Sequence, residues 1–542
     1  MLVARPKTPP PPDETPSLKQ RLAQRQKAER RRQELVRFTI VAVLFAVLIG
    51  YAVGLAVGVR LGMGTTVGVL YTALSFKYPR QALWIFLIYM PFSGSVTYLV
   101  GSSPLLQLAK DGFYIPALFG VVQYCRREKL PLIIPPQLVP SVVALLALSL
   151  TTLLLVNGGD QLAIATTDAP LLLGLLGLKV LMGYIPLIVC AYYLLRDRRD
   201  LLFLMRLTVV VVLACCALAF VQYLLLTIGY CPGTRFEEGE GLLKASLEAR
   251  CFVGGSVLYT PELDMIRLPG TFVAPWQWGW FLISGAFLTF PTAFSDPQVK
   301  WRTLGITGLA AVFIMAVLSG QRIALILVPI IFVILLLRTE QRYNIQRIIP
   351  GAVLLGLGLG YVAIRNLTLV QDRLASLQSR WNASPPYRFI WEQFDWVMQS
   401  GVGLLGHGLG RATNSGRTLA ETELIEAYYP KLLYEIGPLG LLAFLAVATT
   451  LTVLTWRAYR SVGDRPLRSY GAALWLFILF ISYNTYFYPL DVDPVAVYYW
   501  FFAGVILKLP VLEQGERVTS PPTPPATTPL RRRFRLKRSD FA

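Results

Sequence analysis

The feature that most constrains this chain is a succession of apolar runs separated by short polar connectors. A helix needs about 20 residues to cross the hydrocarbon core of a bilayer, and most of the runs approach or exceed that length. The composition agrees, because 55% hydrophobic and 15% charged residues are too apolar for a soluble protein of 542 residues. We therefore predict an all-α, polytopic membrane protein with about 14 transmembrane helices. The runs cover residues 38–59, 61–76, 81–100, 104–123, 138–156, 171–195, 201–229, 275–293, 303–319, 322–338, 347–364, 431–455, 469–488 and 495–510.

The connectors between the runs give an orientation. If the N-terminus is cytoplasmic and every run crosses, all the inner connectors are basic, whereas the outer connectors 157–170 and 489–494 carry aspartates and no Lys or Arg. Cytoplasmic loops of membrane proteins carry an excess of Lys and Arg. The pattern therefore predicts that both termini are cytoplasmic. The inner connectors are residues 77–80, 125–129, 196–200, 296–302, 338–347 and 457–468.

Two tails flank the apolar runs, and each is proline-rich and then basic. We predict that residues 1–37 and 511–542 are disordered and cytoplasmic, and that residues 38–510 form the transmembrane domain. The net charge of +20 lies largely in these tails and in the inner connectors, where it sets orientation. No aromatic-and-basic strand pattern accompanies the charge, so we predict no nucleic-acid partner.

Two predicted outer segments, 230–274 and 365–430, are too long to be turns. The first holds Cys231 and Cys251, the only cysteines predicted to lie on the oxidising side of the membrane. A disulfide between them and two free thiols are both consistent with the sequence. The chain has no C-x-x-C, HExxH, P-loop or Gly-x-Ser-x-Gly motif, and the six cysteines lack metal-site spacing. We therefore predict no metal site and no cofactor.

Several charged side chains lie within the apolar runs or where an outer segment meets one: Lys110, Asp111, Lys179, Arg267 and Arg322. An ionisable residue within a span usually faces the bundle interior or a wet cavity. In one interpretation Lys110 and Asp111 neutralise each other, and the arginines anchor helix ends by snorkelling. In the other, these residues line a cationic cleft that opens outward. Such a cleft suits an anionic group, because a guanidinium can hold phosphate oxygens bidentately.

The polar stretch 385–440 holds the only histidine of the chain, His407. Its pieces are RFIW at 388–391, GLLGHGLG at 403–410 and IEAYYPKLLYEIGPLG at 425–440. Before it come Lys110-Asp111, Lys179 with Tyr184 and Pro186, Arg267-x-x-Gly270-Thr271-Phe272, and Ser319-Gly-Gln-Arg322. In this order the pieces resemble the O-antigen ligase and O-antigen polymerase superfamily, over roughly residues 38–510.

Members of that superfamily are multi-spanning glycosyltransferases of the GT-C type with a large outer loop. The resemblance implies a bacterial inner-membrane enzyme that moves an undecaprenyl-pyrophosphate-linked glycan onto an acceptor hydroxyl at the extracytoplasmic face, without a metal or cofactor. It implies that Arg267 and Arg388 bind the pyrophosphate, with Arg322 as a further candidate. Arg411, Glu423, Lys110, Asp111 and Lys179 are secondary candidates for the site. The partners would be the lipid-linked donor, a glycan or lipid acceptor and the bilayer.

The residue that accepts the hydroxyl proton departs from the ligase pattern. Ligases of this superfamily place a histidine about eleven residues before the glycine that starts the last conserved helix, and counting back from Gly437 gives Glu426. A carboxylate there is closer to the polymerase branch. His407 is a second catalytic candidate, and Glu421 and Glu423 compete with Glu426.

We therefore predict a polysaccharide polymerase for O-antigen or exopolysaccharide. The closest alternative is a ligase that attaches glycan to a lipid or protein acceptor. The alternative from another class is a non-catalytic polysaccharide or lipid transporter, which should show internal repeats or paired broken helices.

Overall fold

The structure is a computed structural model that describes residues 18–100, 104–132, 135–163, 168–237, 249–260, 265–339, 381–413, 416–417 and 419–519, with isolated positions between 371 and 379. The predicted run at 347–364 lies outside the described residues. So do residues 1–17 and 520–542 of the predicted tails.

The described chain is almost entirely helical, with four short strands. The helices are α1 (Leu18–Val57), α2 (Val59–Lys77), α3 (Pro79–Tyr89), α4 (Ser93–Val100), α5 (Pro104–Arg127), α6 (Val139–Thr152), α7 (Gly158–Ala163), α8 (Pro170–Met182), α9 (Leu187–Leu194), α10 (Arg198–Thr227), α11 (Pro275–Ser295), α12 (Val299–Leu318), α13 (Arg322–Arg338), α14 (Pro386–Gln399), α15 (Tyr428–Arg460), α16 (Arg465–Tyr483) and α17 (Val495–Thr519). The strands are β1 (Arg250–Cys251), β2 (Gly254–Ser256), β3 (Leu258–Thr260) and β4 (Met265–Arg267), which pair as two antiparallel hairpins, β1 with β2 and β3 with β4.

Nine helical stretches of the described chain are long and apolar enough to cross a membrane, so the protein is a multi-pass membrane protein. They cover Gln33–Val57, Pro79–Leu99, Pro136–Ala163, Pro170–Leu194, Arg198–Thr227, Val299–Leu318, Tyr428–Arg460, Arg465–Tyr483 and Val495–Glu516. The expected number of about 14 is not confirmed. Helix α13 has only 17 residues, or about 26 Å at the rise of an α-helix, which is less than the hydrocarbon thickness.

Part of each predicted disordered tail is helical in the structure. Helix α1 begins at Leu18, so the basic half of the N-terminal tail is helical, and α17 continues to Thr519. The segment 18–37 is rich in Gln, Arg, Ala, Leu and Glu, which have high intrinsic helix propensity.

Helix α11 lies at the centre of the bundle. It packs against α10, α12, α13 and α16, and its side chains are buried along nearly its whole length, including Trp278 and Trp280. A Cβ added at Gly305 of α12 would lie 2.5 Å from the backbone nitrogen of Ala293 in α11. The small residue thus allows the two helices to approach closely, as is common in membrane bundles.

Loops and helix termini divide the bundle into two ends. We call the end with residues 250–260, 265–274, 386–413, 419–427 and 484–494 the loop end, and the other the opposite end. At the opposite end, Arg206 of α10 holds Asp296 through two bonds of 2.8 Å. Arg198 pairs with Asp464 at 3.3 Å and with Glu516. These pairs tie together the ends of α10, α11, α16 and α17.

At the loop end, a disulfide joins Cys231 to Cys251, with 5.7 Å between the two Cα atoms. The amide nitrogen of Gln222 in α10 donates to the carbonyls of Cys251 and Gly254, each at 3.1 Å. The guanidinium of Arg250 donates to the Tyr98 carbonyl of α4 at 3.0 Å. Residues 250–254 are therefore fixed to α4 and α10, before the Arg267 motif.

Replacing both Cys231 and Cys251 with serine is expected to lower the free energy of unfolding by about 3 kcal/mol, because the bridge closes a segment of 20 residues. Chemical denaturation of the detergent-purified protein, with Cys125→Ser as a thiol control, measures the change. Peptide mapping without reductant should recover the two cysteines as one cross-linked species. Their recovery as separately alkylated peptides would contradict the bridge.

Candidate functional site

The glycine-rich stretch 403–410 is docked on three helical elements at the loop end. Asn157, the last residue of a π-helical turn (Leu153–Asn157) between α6 and α7, pairs with the backbone of Leu409. Its Nδ2 donates to the Leu409 carbonyl at 3.0 Å and its Oδ1 accepts from the Leu409 N–H at 2.9 Å. The His407 N–H donates to the Tyr434 carbonyl of α15 at 2.7 Å. These bonds satisfy backbone groups of a loop that makes no regular secondary structure and whose residues 408–410 are buried.

Two glycines explain why this loop can approach the helices so closely. Gly410 has φ +82°, and a Cβ there would lie 2.4 Å from the Leu173 carbonyl oxygen of α8. Gly437 of α15 has φ +69°, and a Cβ there would lie 2.2 Å from the Leu404 carbonyl oxygen. Glycine adopts this left-handed backbone at little cost and has no Cβ to clash. The break at Gly437, followed by Pro438, separates the first turns of α15 from its long apolar part.

Beneath this loop lies a buried charge cluster, which we define as Lys431, Glu435 and Asp491. The ammonium of Lys431 pairs directly with the carboxylate of Asp491 and lies 3.8 Å from Glu435. Glu435 Oε1 also accepts from the Ala412 N–H at 2.9 Å and the Thr413 hydroxyl at 3.1 Å. The side chains of Lys431 and Glu435 are only 3% and 4% exposed. The cluster therefore joins α15, the segment 411–413 and the turn 489–491.

Further polar groups lie close to the cluster. The buried Tyr428 lies close enough to the carboxylates of Asp491 and Glu435 to interact with them electrostatically. Tyr184 is within range of both Asp493 and Asp111. Asp111 in turn forms a 2.7 Å ion pair with Lys179. A series of buried and partly buried polar groups therefore extends from α5 and α8 to α15, although such groups are costly within a bilayer.

In the structure Asp111 pairs with Lys179, whereas the predicted pair of Lys110 with Asp111 involves a side chain outside those that the structure describes. Adjacent residues of a helix point in different directions, so they do not face each other. Lys110 lies in α5, and its side chain is not among those described. Lys179 and Asp111, which the sequence places 68 positions apart, therefore meet across two helices.

The helix that carries Arg388 also reaches Glu426. Gln393 of α14 accepts the Glu426 N–H at 3.0 Å through its Oε1. Arg388 forms a 2.7 Å bond to Glu392 one turn later, and both side chains are more than half exposed. Val397 of the same helix is buried with Leu433 of α15, which fixes the position of α14. Glu426 itself is half-buried directly before α15.

Arg267 and Arg322 lie on adjacent segments. Arg267 is the last residue of β4, and the next residue, Leu268, donates its N–H to the Ser319 carbonyl at 2.9 Å. Arg322 is the first residue of α13. A Cβ added at Gly279 of α11 would lie 3.3 Å from the Gln321 Cβ, so the start of α11 packs on the same segment.

The other predicted residues contact the loop itself or the helices on which the loop packs. The His407 ring lies 4.5 Å from the Tyr434 ring, and its Nε2 is 3.3 Å from the Ser400 hydroxyl. Arg411 pairs with Asp160 of α7 at 2.6 Å. Glu423 is exposed, and its N–H donates to the Arg411 carbonyl at 2.8 Å. His407 and Arg411 thus have contacts that hold the loop in place.

Lys431, Glu435 and Asp491 are not among the site residues predicted from the sequence. The available signal was a lysine and a glutamate at (i, i+4) spacing at the start of the apolar run 431–455. Asp491 gave a weaker signal, because it lies in an outer connector where an aspartate is ordinary.

Comparison with known proteins adds no relative. No protein-family model matches the chain, and no curated protein matches it.

Substituting Gly410 with alanine is expected to destabilise the protein by at least about 1 kcal/mol more than Gly401→Ala, because only the first substitution also overpacks its surroundings. Both glycines have positive φ, +82° and +74°, but nothing lies within 4 Å of a Cβ at Gly401. The left-handed backbone costs each alanine variant about 1–2 kcal/mol. Thermal unfolding in detergent measures the difference, and equal losses would show that the loop is not docked on α8.

Replacing Lys431 with methionine is expected to lower the free energy of unfolding by about 3–5 kcal/mol, because it leaves buried carboxylates without their cation. Glu392→Gln is the matched control, since it breaks the exposed (i, i+4) pair with Arg388 and should cost less than about 1 kcal/mol. Chemical denaturation compares the two variants. A Lys431→Met loss no larger than the control would mean that water reaches the cluster.

Proposed function

We propose that this protein is a metal-independent membrane glycosyltransferase that moves an undecaprenyl-pyrophosphate-linked glycan onto an acceptor sugar hydroxyl. The observation that carries the proposal is a continuous set of contacts between the elements that hold Arg267, Arg322, Arg388 and Glu426. The indole nitrogen of Trp280 in α11 donates to the Phe487 carbonyl at 3.1 Å. The Phe487 ring stacks on Phe389 of α14 at 6.0 Å. These contacts connect the Arg267–Arg322 segments to the helix of Arg388.

The helix termini support an anionic ligand. Arg322 is the first residue of α13, and Arg388 lies in the first turn of α14. A helix N-terminus carries a partial positive charge, which attracts an anion. The same termini can bind phosphate through free N–H groups. A pyrophosphate between these two helix starts would meet both guanidinium groups and both dipoles.

The chemistry fits such a site. As the bond between sugar C1 and the phosphate oxygen breaks, negative charge grows on the leaving pyrophosphate. Fixed guanidinium groups stabilise this charge more than they stabilise the intact donor, so they lower the barrier. The new glycosidic bond forms between C1 and the acceptor oxygen, whose proton must pass to a base. Glu426 is our choice for that base, because it is half-buried and its backbone is bonded to the Arg388 helix.

We further propose that the enzyme is a polymerase that extends O-antigen or exopolysaccharide. A carboxylate at position 426 supports this branch over the ligase branch, in which the corresponding residue is a histidine. The orientation that goes with it has both termini in the cytoplasm of a bacterium and the loop end outside, as the basic connectors predict.

In a turnover assay with an undecaprenyl-pyrophosphate oligosaccharide, Arg388→Gln and Arg267→Gln are each expected to lower kcat by about 100-fold or more, because each removes a cation that stabilises the leaving group. Glu426→Gln should cause a larger loss than His407→Ala, since an amide cannot accept the proton. Arg417→Gln is the matched control, because Arg417 is an exposed arginine of the same outer segment.

The products distinguish the alternatives. A ladder of chain lengths supports the polymerase, and a single addition to a lipid or protein supports the ligase. Movement of the labelled donor across the membrane without a new glycosidic bond would identify a transporter. Full turnover by Arg388→Gln, Arg267→Gln and Glu426→Gln would refute the assigned site.

A further inference from the structure

A second feature lies at the opposite end of the bundle, away from the proposed glycosyltransferase site. A cavity of about 500 Å³ opens between α10 and α12. Its apolar wall includes Phe203, Leu207 and Val210 of α10, and its polar residues include Arg199, Arg206 and Trp301. We call this cavity the α10–α12 groove. None of the residues discussed for the glycosyltransferase site lines it.

The groove changes from cationic to apolar along the helix. Arg199 lies in the first turn of α10, whereas Val210 lies 11 residues later, about 16 Å farther along the helix axis. Both helices are candidate membrane spans. Phe203 is 53% exposed and Val210 is 45% exposed, so their apolar surfaces face outward from the bundle. In a bilayer the wall of the groove would face acyl chains and its mouth would be at head-group level.

The charges at the mouth are not balanced within the protein. Arg206 is bound by Asp296, and its guanidinium carbon lies 5.2 Å from the centre of the Trp301 ring. The neighbouring carboxylate of Asp200 is bound by Arg80 at 2.5 Å. Arg199 is exposed and has no ion-pair partner among the described residues. Lys300 and Arg302, on either side of Trp301, add two further cations at the start of α12. The mouth therefore has an excess of positive charge.

We propose that the α10–α12 groove binds an anionic phospholipid of the surrounding bilayer. The phosphate would accept hydrogen bonds from Arg199, and one acyl chain would lie along Phe203, Leu207 and Val210. A basic pocket between helices above an apolar surface has the chemistry that selects an anionic head group over a zwitterionic one. A helix of a partner protein would cover the apolar wall but would leave the cations at the mouth without counter-charge.

Native mass spectrometry of the full chain in detergent tests this site. Phosphatidylglycerol is added to one sample and phosphatidylcholine with the same acyl chains to another, and the retained adducts are compared. The wild type should retain phosphatidylglycerol preferentially. Arg199→Gln is expected to weaken phosphatidylglycerol binding about fivefold, because one cation is lost from the mouth. Arg199→Lys should restore most of the affinity, and Arg199 is exposed, so neither change is expected to disturb the fold.

Two further variants separate a groove from general surface charge. Val210→Trp fills the apolar wall without changing any charge, and it should reduce retention of phosphatidylglycerol. Arg457→Gln removes an exposed arginine near the end of α15, outside the groove lining, and it should leave retention unchanged. Equal retention by wild type, Arg199→Gln and Val210→Trp would overturn the proposal. An equal loss in Arg199→Gln and Arg457→Gln would overturn it too, since binding would then follow net charge alone.

Discussion

The loop end is organised by three charged side chains that are withdrawn from water. Removing an ion from water costs several kcal/mol, and only close partners and further hydrogen bonds offset this cost. Lys431, Glu435 and Asp491 supply such partners to one another, and Glu435 also bonds to Ala412 and Thr413. Three separate parts of the chain must therefore meet in one arrangement, because any displacement would leave a charge buried without its partner.

This constraint fixes the helix that carries the exposed Arg388. Helix α14 packs on the first turns of α15, which contain Lys431 and Glu435 of the cluster, and its Gln393 bonds to Glu426, two residues before α15. Arg388 can then be mobile at its tip while its helix is held, and it can exchange Glu392 for another anion at little cost, since an exposed ion pair contributes little stability. Positioning of this kind lowers a barrier because the protein need not reorganise when charge develops.

The local hydrophobic pattern of the sequence predicted most of the helices. It could not predict which charged side chains pair across the fold. Apolar runs gave most of the helices, because membrane helices satisfy their own backbone and depend on length and hydropathy. The run at 81–100 contains a short 3-10 turn, Met90–Phe92, between α3 and α4, which a count of apolar residues does not reveal. Lys431 and Asp491 are 60 positions apart in the sequence, and Arg411 and Asp160 are 251 positions apart. The sequence marks these side chains as charged and does not specify their partners.

The two ends of the bundle use arginine in different ways, and the difference bears on function. At the opposite end, Arg198 and Arg206 have carboxylate partners from neighbouring helix ends. At the loop end, Arg388 lies in the first turn of α14, where the helix dipole disfavours a cation. Its ion-pair partner among the described residues is Glu392, an exposed glutamate on the same helix. Such an exposed pair contributes little stability, so a strongly anionic ligand can displace the glutamate, and the two phosphates of the lipid-linked donor that we propose would supply that charge.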